Sequence, residues 1–159
     1  MALQLTQQER DRLDSLLKGF EADPYVRSMA AYTQHGVVDT FTHCRNVAAL
    51  SWFIAKRLNL KVDERVLVTG AMLHDFYLYD WHGAGWRHSY MHPEAARRTA
   101  VEHFHVDKAT QDVIASHMWP INPLRIPSST EAWIVTIADK LVSTHETLFQ
   151  RKEAKPLCG

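Results

Sequence analysis

The sequence has little that would staple, stiffen or anchor a chain from outside its core. Its two cysteines, Cys44 and Cys158, lie far apart and form no CxxC pair, so neither a disulfide framework nor a zinc ribbon is expected. Six glycines and six prolines in 159 residues exclude a collagen-like or low-complexity chain. Net charge is absent too: eighteen basic side chains cancel eighteen acidic ones. Such a balance offers no broad electrostatic footprint for a nucleic-acid polymer or an anionic lipid surface. No apolar run approaches the roughly 20 residues that cross a bilayer. The first residues (MALQLTQQERDRLD) are polar and carry acids, unlike a secretory signal or a transit peptide. The expectation is a cytoplasmic protein with neither a membrane nor a nucleic acid as partner.

What is present is an ordinary globular composition, 46% apolar and 23% charged, at a length that suits one domain with a real core. The unusual count is ten histidines, dispersed rather than clustered at a terminus. Histidine is the commonest metal ligand and the usual acid or base near neutral pH, so their positions matter.

Helical periodicity dominates the chain, and no alternating strand pattern survives beside it. Leu5-Thr6 begins a helix to about Lys18, ended by Gly19. Pro24 begins a second to about Gln34, ended by Gly36. Asp39 or Thr40 caps a long helix to about Leu60, and Asp63 caps the next, to about Phe76. A loop rich in glycine and aromatics spans Tyr79 to Met91. His92-Pro93 opens another helix, with Pro93 at its first position. Asp107 caps one that ends near Trp119-Pro120. A loop with three prolines covers Pro120 to Ser129, and Ser129 or Thr130 starts the last helix, to about Lys152. The expected fold is all-α: a compact bundle of about six to seven helices in a single domain over 1–159. Helices in 1–34 pack on a metal-binding core at 35–150, followed by a tail at 151–159.

Several polar residues sit on the apolar faces of these helices. His43 shares a face with Val47, Leu50, Ile54 and Leu58, at successive offsets of four, three, four and four. His74 shares one with Leu67, Gly70 and Ala71 near a helix end, and Asp75 follows it. His117 lies with Val113 and Ile114, again near a helix end. Asp139 sits inside the most apolar stretch of the chain, AWIVTIADKLV, and His92 stands at a helix start. One inward histidine is usually a hydrogen-bonded core residue. Two inward acids and four inward histidines are a heavy burden for a small core, because an unpartnered buried carboxylate costs several kcal/mol. Convergence on cations would make them favourable together. Neutral imidazole with carboxylate suits iron or manganese first, with zinc, nickel or cobalt also compatible. Helical bundles build such centres from facing helices.

The residues around these positions carry a family resemblance. THCRNVA has the H-x-x-x-V-A form, GAMLHD has small and apolar residues before a His-Asp pair, and HPEAA, IASHMWP and TIADKL follow in order. The set, spread over about Gln34 to Leu148, resembles the HD-domain superfamily of metal-dependent phosphohydrolases, in its binuclear six-ligand form. The resemblance implies that His43, His74, Asp75 and Asp139 are the shared metal ligands. It implies that His92 and His117 are the added ligands of binuclear members, with Asp75 bridging two divalent or trivalent transition metals. The segment FYLYDWHGAGWRHS departs from the Ile-Gly-Lys-like run of many relatives, a difference that concerns the substrate rather than the metals.

The implied activity is hydrolysis of a small phosphoester or nucleotide by a metal-bridging hydroxide, as in phosphoric-ester hydrolases. Asp75, Lys140 and His35 are the catalytic candidates, the last two for charge stabilisation and proton donation near the pocket. Arg87, His88 and Arg125 are candidates for contacting a phosphorylated small molecule. Tyr77, Tyr79, Trp81, Trp86 and Trp119 are candidates to wall the site, while His82, His103, His105 and His145 read as structural or surface residues. The same six ligands also resemble those of HD-type mixed-valent diiron oxygenases acting on small organic or phosphonate substrates. A non-catalytic metal-binding module is the third reading.

Overall fold

The computed structural model describes residues 4–35, 37–77 and 88–149, with the side chains of His35, His88 and Ser89 outside that set. In chain order it contains α1 (Gln7–Ala22), α2 (Pro24–Ser28), a 3₁₀ turn (Met29–Ala31), β1 (Thr33–His35), β2 (Val38–Asp39) and α3 (Thr40–Arg57). There follow α4 (Glu64–Leu73), α5 (His88–Phe104), α6 (Lys108–Ser116) and α7 (Thr130–Phe149). The fold is all-α, as expected, with one small antiparallel ribbon between β1 and β2.

Short polar side chains set the helix starts. Thr6 and Glu9 form a reciprocal capping box on α1. Asp39 accepts from the Thr42 backbone N–H on α3, Asp63 from Arg65 and Val66 on α4, and Asp107 from Thr110 on α6. Ser129 Oγ accepts from the Ala132 N–H ahead of α7. Two helices end on left-handed residues, Asn59 after α3 and His105 after α5, both residue types that tolerate that conformation.

Helix α3 packs on α4 and α7, α4 packs on α6, and α5 packs on α6, with α1 laid against α4. Trp52, Leu67, Met72, Ile114 and Val135 are buried at the shared core. Burial of each stabilises the fold by roughly 1.5–3 kcal/mol. Helix α4 approaches α6 closely at Gly70. A Cβ placed there would lie 2.5 Å from Val113 Cγ1 and 2.8 Å from Val113 Cβ on α6. Among the described residues no helix is long and apolar enough to cross a membrane.

Four local expectations are corrected. Gly19 does not end α1, which runs on to Ala22 and stops at Asp23, the residue before Pro24. A mid-helix glycine costs only about 1 kcal/mol, whereas the residue before proline is driven out of the helical region. Helix α2 is a single turn and a half, and its expected continuation is the 3₁₀ turn and the ribbon, whose strands are too short to show alternation. Helix α5 starts at His88 and carries Pro93 inside it, at the loss of one backbone bond. Helices α4 and α6 stop at Leu73 and Ser116, earlier than expected, so that His74 and His117 are their C-caps.

Candidate metal centre

Helix termini deliver most of the polar cluster. His74 and His117 are C-caps with helical backbone angles, and each imidazole turns back on its own helix. His74 Nδ1 donates to the Ala71 carbonyl at 2.7 Å, and His117 Nδ1 to the Ile114 carbonyl at 2.8 Å. A carbonyl can only accept, so the proton sits on Nδ1 and Nε2 is left to face the cluster. His43, from the first turn of α3, uses Nδ1 on the Glu146 carboxylate at 2.8 Å. Asp139 comes from the middle of α7, His92 from the second turn of α5, and Asp75 from the residue after His74. All six are buried.

The distances divide the six into two groups that meet at Asp75. On one side, His43 Nε2 lies 3.2 Å from Asp139 Oδ1 and 3.9 Å from Asp75 Oδ2. His74 Nε2 lies 3.4 Å from Asp75 Oδ2 and 3.8 Å from Asp139 Oδ1. On the other side, Asp75 Oδ1 lies 3.2 Å from His92 Nε2 and 3.5 Å from His117 Nε2. The two imidazole nitrogens there are 2.9 Å apart. Ligands about 2.1 Å from a common ion stand roughly 3.0–3.4 Å from one another at octahedral to tetrahedral angles. Most of these separations fall in or near that range. Triads drawn from the six, including His43-His74-Asp75 and Asp75-His92-His117, offer donor atoms that all lie within 4.8 Å of one another.

The electrostatics agree with a site that needs positive charge. Burial pushes the Asp75 carboxyl up, but the imidazoles of His74, His117 and His92 outweigh it and hold the group well below its usual range. Burial opposes ionisation of Asp139 as well, and His43, His74 and Lys140 overcome it in the same way. Burial would lower His43, yet Asp139 and Glu146 raise it to about 10. His74 is likewise raised, against burial, chiefly by Asp75. Burial dominates at His117, which is lowered to about 4. Ionised carboxylates thus draw protons onto the neighbouring rings, and a cation would take the place of those protons.

The donor set fits a transition metal on a further count. Among the described residues, His74 Nε2 and Asp75 Oδ1 have no aligned hydrogen-bond partner, although both are buried. Each such atom costs about 1–3 kcal/mol if nothing binds it. Imidazole nitrogen and carboxylate oxygen, without thiolate or a carbonyl cage, suit iron, manganese or zinc rather than copper(I) or calcium.

The other expected residues lie as follows. Lys140 Nζ donates to Asp139 Oδ2 at 2.7 Å and to the His117 carbonyl at 2.8 Å, so its ammonium stands at the rim of the cluster and ties α7 to the end of α6. Arg125 is mostly exposed and lies 4.0 Å from Glu94 of α5. His35 ends β1 and His88 opens α5, but their side chains, like Arg87, His82, Tyr79, Trp81 and Trp86 entirely, lie outside the described residues. Tyr77 is buried with its ring 5.5 Å from that of His92, whereas Trp119 packs edge-on against Trp133.

Two residues around the centre escaped the sequence. Gln34 of β1 donates its amide to Asp75 Oδ2 at 2.5 Å, while its Oε1 accepts from the Tyr77 hydroxyl at 2.5 Å. Because a carboxylate only accepts, Asp75 dictates which way this amide points. Thr40 Oγ1 completes the set 3.3 Å from Gln34 Oε1. The second is Glu146, buried on α7 seven residues after Asp139 and bonded to His43 and to Asn46 Nδ2 at 3.0 Å. Its seven-residue offset from Asp139, two helical turns, is the one sequence signal that points to it.

Comparison with known families gives one match: the HD domain model fits residues 40–144, a span that contains all six side chains of the cluster. Neither a curated protein nor a solved structure matches the chain.

Proposed function

The chain belongs to the HD-domain family, whose character is that of metal-dependent hydrolases, and from that premise we propose that it is a phosphohydrolase acting on a small phosphoester or nucleotide with two transition-metal ions. One observation carries the proposal: the two oxygens of Asp75 face separate donor groups, Oδ2 toward His43 and His74, Oδ1 toward His92 and His117. A carboxylate so placed is suited to be shared by two ions. His43, His74 and Asp139 would hold one with Asp75, and His92 and His117 the other. When bound, such ions activate water and neutralise charge developing on phosphoryl oxygens. Iron and manganese are the first candidates for both positions.

The chain's own residues supply the rest. Nδ1 hydrogen bonds to Ala71, Ile114 and Glu146 fix three imidazoles with Nε2 inward, so little reorganisation is needed on binding. Gln34 orients Asp75, and its own amide is held by Tyr77. Lys140, about a third exposed, keeps its ammonium on Asp139 while one side faces outward, where it would stabilise an anionic substrate. We assign His35, Arg87, His88 and Arg125 to proton donation and substrate contact on the strength of the sequence alone. A cytoplasmic setting is part of this proposal.

The test is a panel of nucleotides, dinucleoside polyphosphates and phosphomonoesters offered to protein loaded with manganese or iron under low oxygen. Release of phosphate or nucleoside monophosphate is expected, and His74→Ala and Asp75→Ala should abolish both turnover and metal content. Full activity in either variant would contradict the assignment. Silence across the panel with oxygen consumed by the iron form would replace hydrolysis with oxygenation.

A further inference from the structure

We propose that Glu146 is a positioning residue of the metal centre, one that fixes the tautomer of His43 and makes the His43 half bind its ion more tightly than the His92 half. The inference rests on the two-metal reading above and goes beyond it by ranking the two positions.

Glu146 sits on α7 with its carboxylate almost wholly buried, at 1% exposure. A buried carboxylate is costly unless something answers its charge. Among the described residues no lysine or arginine pairs with it. Its hydrogen bonds go to His43 Nδ1 at 2.8 Å and Asn46 Nδ2 at 3.0 Å, both on α3. Asn46 is neutral, so the charge is answered through the His43 ring, whose far nitrogen faces Asp139 and Asp75. Carboxylate, imidazole and centre therefore form a line.

The contrast with His74 and His117 gives this line its meaning. His74 and His117 direct Nδ1 to neutral backbone carbonyls. A carboxylate behind a ring makes its free nitrogen a stronger donor than a carbonyl does. The His43 half also owns Asp139, while among the described residues the carboxylate that lies against the His92 half is the shared Asp75. Lys140 offsets one negative charge on the His43 side, at Asp139. Glu146 leaves that side the more negative of the two.

The experiment is a titration of the metal-stripped full chain with Co²⁺, read by calorimetry and by the visible absorption of the bound ion. Glu146→Gln and Glu146→Ala are compared with the parent. The parent should show a tight and a weak class of site. Glutamine keeps an acceptor for Nδ1–H, so the tight class should weaken about 10-fold with a nearly parental spectrum. Alanine should weaken it about 100-fold and change the spectrum, the weak class staying in place in both. A parental tight class and spectrum in both variants, even with lowered thermal stability, would overturn the inference by reducing Glu146 to packing. Loss of the weak class instead would overturn it as well. A parent chain that takes up no pair of ions would sink the two-metal reading itself, whatever the variants do.

Discussion

Replacing Gly70 with alanine probes how closely the two helices that carry His74 and His117 approach. The new Cβ would lie 2.5 Å from Val113 Cγ1 and 2.8 Å from Val113 Cβ. Rotating the valine moves its methyls but not its Cβ, so α4 and α6 must separate. Alanine gains up to about 1 kcal/mol over glycine inside a helix, while overpacking a core contact costs roughly 1–3 kcal/mol. The net expectation is a loss of about 1–2 kcal/mol, or roughly 2–8 °C in Tm for a chain of this size. Gly19 is the built-in control: it is also helical, but nothing lies within 4 Å of the Cβ it lacks. Gly19→Ala should therefore stabilise by about 0.5–1 kcal/mol. Urea denaturation of both variants decides the matter, with Gly70→Ala repeated in a Val113→Ala background, where its penalty should shrink. Metal affinity should fall in Gly70→Ala, because the His74 and His117 rings, now 4.9 Å apart at their centres, ride on the separating helices. Two alanines of equal and positive effect would refute the close contact and the reasoning built on it.

Three further outcomes follow from the contacts. Gln34→Leu removes the amide that donates to Asp75 and the oxygen that accepts from Tyr77, for a loss of about 1–3 kcal/mol in denaturation; stability equal to the parent's would mean that these buried bonds contribute nothing. Lys140→Ala should lower turnover on the order of 10²-fold while metal occupancy measured by elemental analysis stays near the parent's; an unchanged rate removes Lys140 from the mechanism. Hydrogen bonds from Lys56 and then Arg12 lower the Glu64 carboxyl below its ordinary 4.5. A lowered folded value stabilises above the unfolded one and is lost as pH falls through it. Glu64→Gln should thus cost about 0.5–1 kcal/mol at pH 7 and progressively less below 4.5; a deficit independent of pH would show that the ion pair is not its source.

His43, His74, His117 and Asp139 could be singled out in the sequence because each shares a helical face with apolar residues, and Asp75 and His92 because the order of all six matches a family pattern. Four helix starts were equally readable, since Thr6, Asp39, Asp63 and Asp107 cap by local chemistry alone, whereas α5 starts at His88 and not at His92. The ends were not. Whether Gly19 stops a helix depends on what packs around it, and the stops at Leu73 and Ser116 follow from the tertiary use of His74 and His117. Gln34 and Glu146 were hidden for a related reason. Gln34 lies in a strand too short to show its period, and Glu146 four residues past the apolar stretch of its helix, AWIVTIADKLV. Their partners, Asp75 and His43, are distant in the chain, so the folded arrangement reveals the pairings.

The central claim is answered most directly by counting metal in the full chain purified under low oxygen. Elemental analysis should find about two equivalents of iron or manganese per chain, with Asp75→Ala retaining neither, as sharing of that carboxylate between two ions requires. A parent chain that holds a single ion at saturation, or none, would contradict the account.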